Sequence, residues 1–126
     1  KNFYLGLVVS REVQYLSGKA LRIIDVLAEN NNISRIINEF VSTLKKSCHE
    51  YEYIDVYASN LDMNLLTKGN YELISDSQKI TIPDYFSPFE QKNIDIHFCT
   101  TDNQPACLFK GDGDQDNPRI RREYSE

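Results

Sequence analysis

Apolar residues fall at Ile33, Ile36, Ile37, Phe40, Val41 and Leu44, in steps of three and four, and two short runs rich in β-branched and aliphatic residues lie on either side. That spacing makes a helix with one buried stripe. Its other face carries Arg35, Asn38, Glu39, Ser42 and Lys45, and Lys45 and Lys46 occupy the last turn, where positive charge complements the helix dipole. The helix is predicted over roughly Ile33 to Cys48. The run before it, Leu21 to Ala28, reads as a largely buried strand, and Asn30-Asn31-Asn32 breaks it, because Asn tolerates left-handed backbone angles and caps helices through its side-chain oxygen. The run after it, Tyr53 to Ala58, reads as a second strand. A strand, helix, strand succession of this length suits a crossover between parallel strands.

Around this centre the other elements are shorter. Phe3 to Tyr15 reads as a strand, with Ser17-Gly18-Lys19 as the turn of a hairpin into the Leu21 strand. Leu61 to Lys68 reads as a short helix that Gly69-Asn70 can end by adopting positive φ. Tyr71 to Ile74, Lys79 to Ile82 and Ile94 to Cys99 are strand candidates, the last with Ile94, Ile96 and Phe98 on one face and Asp95, His97 and Cys99 on the other. The fold class expected is α/β, a mixed twisted sheet with one long and one short helix. Residues 1–109 form the α/β domain, and 110–126, too polar and glycine-rich at its start for regular structure, form a polar C-terminal segment.

Totals narrow the function classes. At 126 residues the chain holds one core, and 40% apolar with 11% aromatic residues suits a globular domain. The formal charge of −5 argues against nucleic acid as a partner, since Arg119, Arg121 and Arg122 are the one basic cluster. Cys48, Cys99 and Cys107 include no C-x-x-C pair, which points to reduced thiols in a cytoplasm rather than a zinc site or disulfide framework. No stretch reaches the length of a membrane span. The chain opens at Lys1 without a methionine, so a partial or fragment domain is expected.

Taken in order, residues 21–74 resemble the C-terminal half of the GNAT N-acyltransferase superfamily. In that family a strand leads into a Gln/Arg-x-x-Gly-x-Gly/Ala loop opening a helix, and a second strand and a helix ending in Leu-Tyr-x-Lys-x-Gly-Phe follow. Leu65-Leu66-Thr67-Lys68-Gly69-Asn70-Tyr71 stands where the closing pattern belongs. The resemblance implies an acyl-CoA N-acyltransferase-like fold in which backbone amides of Asn30, Asn31, Asn32, Ile33 and Ser34 hold the cofactor. It also implies Asp25 and Tyr57 at the reaction centre, and an amine of a small molecule or sugar as acceptor. The chain departs from the pattern where chemistry would occur. Glu29 stands at the Gln/Arg position, Asn32 and Ser34 at the two glycines, and Leu66 at the tyrosine that protonates the leaving thiolate. A carboxylate beside a phosphate site repels the ligand. The second class is therefore a non-catalytic GNAT-like binding or assembly domain of a larger bacterial protein, with a homodimer or an N-terminal domain as contact. The ending Gly-Asp-Gly-Asp-Gln-Asp-Asn-Pro is similar to endings in bacterial proteins linked to surface polysaccharide synthesis.

Three further features each carry two readings. Asp112, Asp114, Asp116 and Glu123 have the alternation and reach of a calcium loop, but Asn117 takes the glycine position, so a solvated acidic loop is the stronger reading and no metal is expected. The same Asp112, Asp114 and Asp116 with Arg119 can fold over a cleft onto a polar substrate. Tyr85, Phe86 and Phe89 can line a substrate pocket or plug the end of the sheet. His49 and His97 read as structural or solvated.

Overall fold

The computed structural model describes residues 5–15, 18–47, 51–74, 80–82, 99, 101 and 107–113. Within them β1 (Gly6–Tyr15), β2 (Gly18–Ala28) and β3 (Tyr53–Val56) form a mixed sheet in the order β1-β2-β3. β1 and β2 are an antiparallel hairpin, and β2 and β3 run parallel, from Ala20↔Tyr53 to Ile23↔Val56. The long helix α1 (Ile33–Ser47) makes the crossover, entered through a 3-10 turn at Asn30–Asn32, and the short helix α2 (Met63–Lys68) follows β3. The α/β class, the parallel pair and both helices are as the periodicity predicts.

The hairpin turn differs from the expected one. Gly18 and Lys19 already belong to β2 and pair with Tyr15 and Gln14, so strand pairing begins earlier than the composition implies. Tyr71 to Ile74 form no strand: Tyr71 instead closes α2, and Leu73 is exposed. Ile80–Ile82 are likewise outside any strand. Lys110–Gly113, expected as irregular, form a 3-10 turn. Lys79 and residues 94–98 of the other strand candidates lie outside the described residues.

Burial explains why α1 sits where it does. Ile33, Ile37 and Val41 pack with Ile23 and Val26 of β2, Leu66 of α2 and Phe109, and burying each such side chain stabilises by about 1.5–3 kcal/mol. On β1 and β2, Gly6, Val8, Val26 and Ala28 face the helix; a Cβ on Gly6 would meet the Cδ1 of Ile36 at 2.7 Å. The residues between them point the other way. On that outer face Ala20, Arg22 and Asp55 are buried, while Leu5, Leu7, Val9 and Leu27 are exposed, with Leu7 and Leu27 direct cross-strand partners.

Helix α2 shows how local chemistry sets an end. Asp62 caps its start, accepting from the N–H of Asn64 at 2.9 Å. At its other end Asn70 alone takes the left-handed region, with φ 64°, while Gly69 stays at φ −88°. The N–H of Tyr71 donates to the carbonyl of Leu66 and that of Asn70 to Thr67, the Schellman arrangement with asparagine in the place usual for glycine. Among the described residues no helix is long and apolar enough to cross a membrane.

Candidate functional site at the carboxyl ends of the parallel strands

In open α/β sheets, ligand crevices form outside the carboxyl ends of parallel strands. Here that rim is where β2 and β3 separate. Their pairing stops at Ile23↔Val56, although β2 continues to Ala28. The β1–β2 register also slips here: Val9 pairs with Asp25 and Ser10 with Ile23, leaving Ile24 as the extra residue of a bulge. A bulge bends its strand and increases the local twist, which favours divergence from β3.

The chain's own segment Leu108–Gly113 lies across this divergence. Phe109 bridges Ala58 in antiparallel fashion, the N–H of Ser59 donates to the Leu108 carbonyl at 2.9 Å, and that of Lys110 donates to the Tyr57 carbonyl at 3.1 Å. The Phe109 side chain, 5% exposed, belongs to the core. On the β2 side Gly111 is pressed against the bulge, where a Cβ would meet the Cγ2 of Ile24 at 2.8 Å and its carbonyl oxygen at 3.0 Å. Only glycine permits that approach. Asp112 closes the turn, its Oδ2 accepting from the N–H of Phe109 at 2.7 Å.

One register step before the last β2–β3 pairing is a buried ion pair. Arg22 and Asp55 are register partners on β2 and β3, and the guanidinium grips the carboxylate through Nε at 3.0 Å and Nη2 at 2.8 Å. Arg22 is 3% exposed and Asp55 6%. Burial pulls the Arg22 pKa down, but the hydrogen bond and charge of Asp55 outweigh it, and the net direction is up. Arg22 lies 5.8 Å from the Tyr57 ring centroid and the ammonium of Lys110 lies 5.5 Å from it, so two cations meet one aromatic ring. Such a contact contributes roughly 0.5–1 kcal/mol at an exposed site and about 2 kcal/mol when desolvated.

The residues singled out from the sequence are thus distributed unevenly. Asp25 and Tyr57, both half-buried, meet the Leu108–Gly113 segment, which carries Asp112, at this rim: Gly111 comes near the Cβ of Asp25, and the N–H of Lys110 donates to the Tyr57 carbonyl. At the start of α1, the N–H of Asn32 is committed to the Glu29 carbonyl at 2.8 Å. The side chain of Ile33 is in the core, and that of Ser34, also buried, accepts from the N–H of Asp62 at 3.0 Å, tying α1 to the approach to α2. Asn31 and Glu29 are exposed and Asn32 half-buried. Leu66 is 2% exposed and packed in the core. Tyr85, Phe86, Phe89, Asp114, Asp116 and Arg119 lie outside the described residues. No group of three or more His, Cys, Asp or Glu suited to a metal occurs among the described residues.

Sequence reasoning did not single out Arg22, Asp55, Phe109 or Lys110. Arg22 and Asp55 each interrupt an apolar run near the start of one of two predicted parallel strands, and a cation on one strand with a carboxylate on the other is the signal that could have paired them. No comparable signal marks Phe109.

Comparison with protein-family models, with curated proteins and with solved structures finds no match for this chain.

Proposed function

We propose that this is a binding or assembly domain on a GNAT-like scaffold, one that has kept the element order of the cofactor half without its acyl-CoA chemistry. The observation that carries this reading is the filling of the β2–β3 divergence by Leu108–Gly113, anchored by Phe109 in the core. A donor lying between the strands would have to displace a core aromatic and its flanking backbone hydrogen bonds. The commitment of Ser34 to Asp62, the exposed Glu29 carboxylate beside the helix start and Leu66 in place of a proton donor support the same reading. The exposed apolar strip of Leu5, Leu7, Val9 and Leu27 supplies a contact surface of the kind that marks an interaction site.

One observation favours the catalytic reading, transfer of an acyl group from acyl-CoA to an amine of a small molecule or sugar. Asp25 lies on β2 beyond its last pairing with β3, and Tyr57 directly follows β3, so both stand at the carboxyl ends of a parallel pair. Calorimetric titration of the protein with acetyl-CoA separates the two. The binding-domain reading expects no heat of binding at millimolar cofactor and no gain after Glu29→Gln. A saturable isotherm that tightens in Glu29→Gln would replace it with the transferase reading.

A further inference from the structure

We draw no further inference here: the strongest candidate, the exposed apolar strip of Leu5, Leu7, Val9 and Leu27 on the outer face of the β1–β2 hairpin, already serves as the contact surface of the proposed binding role, and nothing in the structure shows which partner covers it.

Discussion

Replacing Phe109 with alanine tests whether the 107–113 segment is part of the fold or a strap laid on its surface. The ring is 5% exposed and belongs to the cluster that also contains Ile23, Val26, Ile37 and Leu66. The backbone on either side is held by Ser59 and Tyr57, and Gly111 is pressed against Ile24, so the walls of the vacated space are poorly placed to collapse into it. A buried Phe→Ala change of this kind costs about 3–5 kcal/mol, the lost transfer free energy plus the cavity left behind. For a domain of this size that corresponds to a fall in Tm on the order of 10–20 °C. Urea unfolding followed by far-UV circular dichroism reads the loss, with an unchanged m-value marking it as a stability effect. Leu73→Ala, at a residue 65% exposed, is the control and should stay within about 0.5 kcal/mol of the parent. A loss below about 1 kcal/mol for Phe109→Ala would mean that the aromatic side chain does not fill the divergence, and the argument against a cofactor there would lose its main support.

Two other perturbations probe the surroundings of the rim. Asp55→Ala should cost roughly 3–5 kcal/mol in the same unfolding assay, because the buried Arg22 guanidinium loses the carboxylate that compensates its charge, whereas Arg22→Met with Asp55→Leu should recover most of it; equal losses in the single and double variants would show that the pair is not the cause. Tyr71 lies half-buried with its hydroxyl 3.4 Å from the Ile37 carbonyl, and burial raises its pKa. The folded-state value is above the unfolded one, so the associated stability is complete below the unfolded value of about 10 and is lost as the pH rises towards the folded one. Tyr71→Phe should therefore flatten the alkaline fall in stability and leave neutral-pH stability nearly unchanged, and an identical alkaline profile in both proteins would refute the assignment.

What could be read from the sequence follows from which interactions are local. The stripe from Ile33 to Leu44 and the flanking runs carry their own periodicity, so α1, the parallel pair and the α/β class were legible. Asn70 was legible for the same reason, since positive φ is a property of one residue. Tyr71–Ile74 misled because its aromatic packs against the core as the closer of α2, while Glu72 and Leu73 beside it are exposed and pair with no strand. The filled rim was not legible at all. It depends on Phe109 meeting Ala58 and on Gly111 meeting Ile24, contacts between residues far apart in the chain that no local pattern encodes. Asp112 shows the same limit: an alternating acidic run suggests a ligand site, yet this carboxylate is spent on the N–H of Phe109 in its own turn.

The central claim is that the chain itself occupies the place where its two parallel strands part. NMR on the isotopically labelled protein, with and without millimolar acetyl-CoA, tests this most directly. Cross-peaks between Phe109 and Ala58 and between Gly111 and Ile24 are predicted in both samples, with the amide signals of Asn31 to Ser34 unmoved. Loss of those cross-peaks together with displaced Asn31 to Ser34 amides on adding the cofactor would contradict it.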